Sequence, residues 1–328
     1  MDNRNAAGDS YDPAAMIPKN PSAFRTVSAI IGLASLMAGA ADAAILFYDG
    51  FAAGGATPAA GQYVSSPAST NGLDNSSLVR SIADTGNGQA PTALGFSTAG
   101  WRTGDGVSSA VHGRISSTGL NYTGLTTATG SVDIFRSGSS ASAQTKNYNR
   151  AVTTGLGVGA TQLYFSALMN FDAGVRGQVG IAQVGISSIF SFGIDSAGKV
   201  AVYGNGGTLI TTSSSSYTAA TTYMLVAYVH GANLVDIYLN PTDFTNQSAN
   251  AGQLVLSNVA LTGFTIGTAI TDVRLTADTG PVTDPNFLID EIHGATTWSE
   301  VFLNVPEPSA VMLGAMAAAI GIGRRRRA

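Results

Sequence analysis

The sequence contains no cysteine among its 328 residues. This absence excludes disulfides, thiolate metal sites and a cysteine nucleophile within the chain. A domain without disulfides depends on a large apolar core, and the central part of this chain, about 260 residues, is long enough to bury one.

Charged residues are also scarce, at 11% of the sequence, whereas glycine occurs 40 times. Few Glu and Lys residues, combined with many Gly, Ser and Thr, disfavour helices and favour short strands joined by tight turns. The composition therefore predicts an all-β body.

Positive charge is sparse in the part of the chain that reads as a folded body. Residues 44–305 contain 15 acidic and 9 basic residues, a net charge of −6, and no run of Lys or Arg. A mildly acidic body without a basic patch argues against nucleic acid as a partner.

The N-terminal region has the order of features that is typical of a secretory signal peptide. Arg25 precedes an uncharged run over 26–41, and the small residues Ala41 and Ala43 flank Asp42. This order predicts cleavage before Ala44, and the alternative is a short buried helix.

The polar leader, residues 1–15, is longer than signal peptides usually carry. A segment of ordinary signal length begins at Met16. We therefore expect translation to start at Met16, and an exported form that keeps Asp2 would contradict this start.

The C-terminus combines Pro-Glu-Pro, an uncharged segment of 15 residues over 309–323, and four consecutive arginines. As a helix the segment would rise about 22 Å against a hydrocarbon core of about 30 Å, so it suits a temporary anchor better than a permanent one. The positive-inside rule keeps the arginines in the cytoplasm and the body outside. The alternative is a plain C-terminal anchor with a proline linker.

This ending resembles the PEP-CTERM sorting signal of bacterial exported proteins. The resemblance implies recognition in the inner membrane by an exosortase, a membrane protease, and delivery to the cell envelope or an extracellular polysaccharide matrix. The residues that carry it are Pro306, Glu307, Pro308, Arg324, Arg325, Arg326 and Arg327. Because each proline fixes φ and lacks an N–H, the Pro-Glu-Pro segment is expected to stay extended outside the membrane.

The body shows short β-like runs separated by Gly, Ser, Asn and Asp clusters, without helix-period segments between them. This pattern predicts an antiparallel sandwich or barrel with direct hairpins at 231–233 and 195–198. The predicted strands cover 44–48, 131–136, 161–171, 178–184, 189–194, 199–203, 222–230, 234–239, 271–276 and 287–293.

Two stretches, 71–115 and 137–154, are rich in Ser, Thr, Gly and Ala. They could be long loops at one end of the sandwich, where binding sites often lie. The alternative, which the low complexity favours, is soluble filler without a defined site.

The strand segments FGIDSAGKVAVYG, YMLVAYVHGANLVDIYLNP and FLIDEIHGATTWSEV look like the laminin-G-like or concanavalin-like lectin fold. The resemblance implies a two-sheet antiparallel jelly roll with its first and last strands side by side. Three parts are thus predicted: a signal peptide with its leader over 1–43, a β-sandwich over 44–304 and a sorting tail over 305–328.

No catalytic residues are predicted. Laminarinase-like hydrolases of this fold carry Glu-x-Asp-x-x-Glu on one strand, and the two glutamates of the body, Glu291 and Glu300, belong to no such triplet. His112, His230 and His293 lack paired spacing for zinc, and no Gly-x-Ser-x-Gly elbow is present. No metal site is assigned.

One pair of carboxylates remains of interest. If the first and last strands pair, Asp49 and Asp290 approach each other, and calcium is the natural bridge outside the cell. The alternative is that each aspartate accepts hydrogen bonds from backbone N–H groups.

The leading functional hypothesis is a non-enzymatic exported protein of the envelope or extracellular matrix that binds carbohydrate. The alternatives are a secreted polysaccharide hydrolase and a purely structural or adhesive subunit. Aromatic side chains suit sugar rings, but each candidate is better explained by packing. These candidates are Trp101, Tyr122, Tyr148 and Trp298.

Overall fold

The structure is a computed structural model that describes residues 45–51, 95–96, 101–103, 111–116, 119–127, 130–136, 145–183, 189–278 and 286–303. These residues form fifteen strands. In chain order the strands are β1 Ile45–Asp49, β2 Arg102–Thr103, β3 Val111–Ser116, β4 Ser131–Arg136, β5 Thr145–Ala151, β6 Gln162–Phe171, β7 Arg176–Ala182, β8 Ile189–Ile194, β9 Lys199–Tyr203, β10 Leu209–Ser216, β11 Tyr223–His230, β12 Leu234–Leu239, β13 Leu254–Ala260, β14 Asp272–Asp278 and β15 Asn286–Ala295.

The strands form two antiparallel sheets. The eight-stranded sheet has the order β13-β12-β11-β6-β15-β4-β3, and β1 pairs with the second half of β15. The seven-stranded sheet has the order β10-β9-β8-β7-β14-β5-β2. The predicted all-β sandwich of antiparallel sheets is confirmed, and its terminal strands β1 and β15 lie side by side as expected.

Alternating side chains build the core between the sheets. In β14, Val273, Leu275 and Ala277 are fully buried, while the residues between them lie on the outer face. Side chains of both sheets join in one apolar cluster that includes Phe165 and Phe192. The period of two residues is what a sheet with one buried face requires.

A second apolar cluster covers the outer face of the eight-stranded sheet, and we call it the outer cluster. The segment after β15, with a 3-10 helix over Ser299–Phe302, lies against this face. Its members are Leu120, Tyr164, Leu168, Met224, Val226, Tyr238, Ala295, Trp298, Val301 and Phe302. Strand β6 is therefore buried on both faces, which explains its nearly unbroken apolar run.

The two predicted hairpins are present. Gly231 and Asn233, between β11 and β12, have φ values of 52° and 61°, in the left-handed region that these residues tolerate. Between β8 and β9, the Asp195 carboxylate accepts hydrogen bonds from the amides of Ala197 and Lys199. Both turns follow from their residues.

The ten predicted strands agree with β1, β4, β6–β9, β11, β12, β14 and β15. The interpretation of 71–115 and 137–154 as loops or filler is wrong where β2, β3 and β5 form. The pattern also missed β10 and β13. Of these five strands, β2, β3, β10 and β13 lie at sheet edges. The side chains of β10 and β13 are mostly exposed or half-buried, which leaves a weak apolar pattern.

Within the described ranges, no helix is long and apolar enough to cross a membrane. The predicted signal peptide and tail helix lie outside those ranges.

Candidate functional site

The outer face of the seven-stranded sheet carries an open groove of about 130 Å³, which we call the sheet groove. It crosses β5, β14, β7 and β8, and the turn after β9 forms its rim through Gly206 and Gly207. Its polar lining includes Asn147, Arg176, Gln178, Ser191, Arg274 and Thr276.

Strand register places these side chains in rows across the sheet. Thr276 lies opposite Asn147 on one neighbouring strand and Gln178 on the other. Arg274 lies opposite Gly180, which in turn lies opposite Ser191. Since residues two apart share a face, the alternation that buries the apolar side chains of β14 turns its polar ones into the groove.

Hydrogen bonds fix the centre of the groove. The side-chain oxygen of Asn147 accepts from Nε of Arg274 at 3.0 Å and from the hydroxyl of Thr276 at 2.7 Å. Asn147 is buried, so both donors are held by a group that itself has little freedom. The Arg274 guanidinium is thus positioned before any ligand arrives.

Arg176 lies at one end of the groove. Its guanidinium pairs with Asp278 at 3.2 Å and lies 5.7 Å from the ring centre of Tyr203. Burial raises the pKa of the Tyr203 phenol to about 12. Neither the Tyr203 hydroxyl nor Nε of Arg176 has a hydrogen-bond partner among the described residues. Both atoms are buried, so the exposed part of the Arg176 guanidinium is what this end of the groove presents to a ligand.

The charge of the groove is opposite to that of the body. Two of its lining residues are arginines, and no carboxylate is among the lining residues that the structure describes. The body as a whole has a net charge of −6. The lining thus carries two guanidinium groups, one of which is paired with Asp278.

The pairing of the first and last strands is present and places Asp49 opposite Ile292, two residues from Asp290, but the Asp49 carboxylate interacts with other groups. Its carboxylate accepts from Nη1 of Arg150 at 2.6 Å, from the indole of Trp101 at 3.0 Å and from the amide of Phe51 at 3.1 Å. Asp49 and Arg150 are 2% and 1% exposed. Burial raises the pKa of Asp49, and the Arg150 guanidinium opposes that rise. This ion pair joins the two sheets inside the core.

Asp290 lies on the other side of the eight-stranded sheet, beside the outer cluster. Its two carboxylate oxygens accept from the amides of Leu120 and Glu291, each at 2.8 Å. Glu291 has a φ of 49° at a bulge in β15, and its carboxylate lies 3.5 Å from Nε2 of His293. The Tyr48 ring packs on His293 at 4.4 Å.

These contacts do not fit a calcium ion held between Asp49 and Asp290. Each carboxylate oxygen already accepts a hydrogen bond, and one partner of Asp49 is a cation. The described part of the chain holds no group of three or more His, Asp or Glu arranged for a metal. The alternative, acceptance of backbone N–H groups, describes both aspartates. Calcium binding by this protein stays a prediction.

The buried position of Asp290 predicts a pH dependence of stability. Burial, and then the charge of Glu291, raises the pKa of Asp290 well above its ordinary value. Because the folded state holds this proton more tightly, the free energy of unfolding should fall as the pH rises from about 4 towards neutrality. Urea denaturation at several pH values gives the free energy of unfolding as a function of pH. The slope of that dependence should differ between the wild type and Asp290→Asn by the contribution of Asp290.

Asp243→Asn is the matched control, with the opposite sign. Hydrogen bonds from the Thr245 hydroxyl and nearby amides lower the pKa of Asp243. Its contribution is therefore present above its ordinary pKa and lost as the pH falls. If Asp290→Asn and Asp243→Asn changed the slope in the same direction, the assignment for Asp290 would be wrong.

The other predicted candidates have structural positions. Trp101 and Tyr148 are fully buried in the main core, and Trp298 belongs to the outer cluster. Tyr122 is half-buried and donates its hydroxyl hydrogen bond to the carbonyl of Pro241. Each of these aromatic side chains packs against other protein groups, which is the interpretation that the sequence favoured over sugar binding. None of them lines the sheet groove.

The remaining histidines and glutamate lie apart from the groove. His230 pairs with Asp236 at 3.3 Å beside the β11–β12 hairpin, and Glu300 accepts from the Thr297 hydroxyl at 2.9 Å. The side chain of His112 lies outside the described residues, as do Ala41, Ala43, Pro306–Pro308 and Arg324–Arg327.

Sequence reasoning missed the groove residues. The stretch 137–154 was interpreted as filler, although Asn147 lies in it, and the predicted strand over 178–184 left out Arg176. The available signal was the alternation DVRLTAD, in which every second residue is polar. That signal identifies an outward face but does not say which other strands lie beside it.

Comparison with known protein families identifies a sorting motif at the C-terminus. Residues 304–327 match the family model described as the PEP-CTERM protein-sorting motif. The predicted sorting signal is confirmed, and it implies export and sorting at a membrane by an exosortase. No curated protein matches the chain.

Solved structures with similar folds include several carbohydrate-related proteins. Lectin II from Ulex europaeus is 9% identical, with a TM-score of 0.35 over 56% of this chain and 90% of its own. The cellulose-induced protein Cip1 is 11% identical, with a TM-score of 0.38 over 60% and 90%. The PL-14 alginate lyase from Aplysia kurodai is 10% identical, with a TM-score of 0.38 over 51% and 83%.

Proposed function

We propose that this protein is an exported, non-enzymatic component of the cell envelope or extracellular polysaccharide matrix that binds carbohydrate in the sheet groove. The sorting motif over 304–327 supports the location, because it implies export and exosortase processing. In this proposal the sandwich is a jelly roll of the laminin-G-like or concanavalin-like kind, and the tail tethers it to the inner membrane before release.

The groove is the observation that carries the binding proposal. Hydroxyl groups of a sugar need a dense set of donors and acceptors, and the groove offers amide, hydroxyl and guanidinium groups on rigid strands. Asn147 fixes two of these groups in advance. Binding to pre-positioned groups loses less conformational entropy than binding to mobile ones.

The lining of the groove supports binding over hydrolysis. Glycoside hydrolysis by the usual routes needs two carboxyl groups that flank the scissile bond. Among the described residues, no carboxyl group lines the groove, and both glutamates of the body lie elsewhere. A polysaccharide hydrolase is the second candidate, and release of reducing sugar from the cell's own exopolymer would establish it.

A purely structural or adhesive subunit is the third candidate. It shares the export route and differs only in having no glycan ligand. Silence on a glycan array, together with retention at the cell surface, would favour this candidate over carbohydrate binding.

Mass spectrometry of the protein recovered from the culture tests the sorting part of the proposal. In cells with the exosortase, we expect the mature protein to begin at Ala44 and to lack the arginine cluster. Cells without the exosortase should retain the full tail in the membrane fraction. Replacing Pro306, Glu307 and Pro308 together by alanine should have the same effect as loss of the protease.

Glu300→Ala is the matched control, because it removes a glutamate just before the motif and outside 304–327. Processing of this variant should equal that of the wild type. An intact tail in the presence of the exosortase would contradict the sorting proposal and favour a plain anchor.

A further inference from the structure

We propose that the sheet groove selects acidic glycans, with the guanidinium groups of Arg274 and Arg176 binding the carboxylate or sulfate groups of successive sugar units. This inference rests on the proposed carbohydrate binding and names the class of ligand. The groove lining carries two guanidinium groups, one of them in a solvent-exposed pair with Asp278, and a neutral sugar requires neither.

Arg274 is the central element of the inference. Its Nε donates to Asn147, so one edge of the guanidinium is held by the sheet. A guanidinium presents five donors in a planar fork that matches the two oxygens of a carboxylate. Because Asn147 also accepts from Thr276, the orientation of the fork depends on two hydrogen bonds to a single amide oxygen.

Arg176 supplies the second positive charge. The side chains of Arg176 and its ion-pair partner Asp278 are 28% and 24% exposed. Solvent therefore weakens the attraction between them. An anionic ligand can therefore compete with Asp278 for the guanidinium. The buried Tyr203 ring lies beside this guanidinium, with its centre 5.7 Å away.

The two arginines lie at different levels of the sheet. Asp278, the partner of Arg176, is four residues from Arg274 along β14. Four strand residues span about 13 Å. The two side chains therefore start from well-separated backbone positions, and both reach the same groove.

The test uses the full-length protein in detergent with three probes of similar length: polygalacturonate, dextran sulfate and neutral dextran. All variants are made in a chain whose four tail arginines are replaced by glutamine, because that cluster would itself attract polyanions. Arg274→Gln and Arg176→Gln should each weaken polygalacturonate binding about tenfold, the loss expected for one charge-assisted hydrogen-bonding group. Stronger binding of dextran sulfate would assign the ligand to sulfated rather than uronate polymers.

Lys199→Gln is the matched control, because it removes one positive charge from the same sheet outside the groove lining. Its affinity should stay within about twofold of the parent, since a rim charge outside the site acts mainly on association. Raising the salt from about 0.01 M to 0.15 M should weaken binding to the parent more than to Arg274→Gln, because the Debye length falls from about 30 Å to 8 Å.

The outcomes separate the two proposals. Equal binding of neutral dextran and polygalacturonate, unchanged in the arginine variants, would overturn the acidic-glycan inference and leave carbohydrate binding intact. Binding of no probe, and silence on a broad glycan array, would overturn carbohydrate binding itself. Matching melting temperatures of the variants and the Lys199→Gln control will exclude a loss of fold as the cause.

Discussion

Replacing Asp49 by alanine is expected to lower the free energy of unfolding by about 3–5 kcal/mol, the cost of leaving one partner of a buried ion pair without the other. Arg150 is 1% exposed and cannot lose its proton, so its charge would remain in the core without a counter-charge. Nε and Nη2 of Arg150 already have no hydrogen-bond partner among the described residues. The loss of Asp49 would also free the Trp101 indole.

Urea denaturation measures this effect, and two controls define it. The double variant Asp49→Leu with Arg150→Met should recover much of the loss, because apolar replacement of a whole buried pair is often nearly neutral. Asp278→Ala, which breaks the half-exposed pair with Arg176, should change stability by about 1 kcal/mol or less. If Asp49→Ala and Asp278→Ala lowered the free energy of unfolding equally, the buried pair would contribute no more to stability than the exposed pair.

Replacing Phe302 by alanine is expected to lower the free energy of unfolding by about 3–5 kcal/mol, the usual range for a buried aromatic side chain. Phe302 is 6% exposed and packs on Phe244 and Trp298, with ring centres 4.8 Å and 5.0 Å apart. Its removal would leave a cavity under the last described turn of the chain.

Leu303→Ala is the control for this prediction, because Leu303 is the next residue and is 51% exposed. Its effect should stay within about 0.5 kcal/mol. Thermal or urea unfolding of both variants shows whether the segment over Ser299–Phe302 stabilises the sandwich or is only loosely attached to it. If the two substitutions had the same small effect, the outer cluster would not contribute to stability.

The sequence predicted those parts of the fold whose residues carry the signal locally. Strands such as β8 and β12 have apolar runs bounded by turn residues, and the Gly231 and Asn233 turn has a direct conformational cause. The pairing of β1 with β15 came from the fold resemblance, because no local pattern relates residues almost 250 positions apart.

Arg150 shows why part of the core could not be predicted. A charged residue in a stretch rich in Ser, Thr and Ala indicates exposure, since arginine is almost never fully buried unless paired. Its partner lies 101 positions earlier in the chain. Only the strand order, which places β5 opposite β1 across the sandwich, explains why this arginine is inside.

The sheet groove could not be predicted from the sequence for a related reason. Its polar residues come from four strands whose order in the sheet differs from their order in the chain. Each strand alone shows an ordinary solvent face. That Arg176 and Arg274 line the same groove can be recognised only when the pairing of their two strands is known.

The outer cluster also limits how the tail meets its protease. The fold is continuous to Leu303, and the sorting motif begins at the next residue. Three residues from Leu303 to Pro306 reach at most about 11 Å. A protease that cuts beside Pro306 without detaching Phe302 therefore has to act within about 11 Å of the folded body.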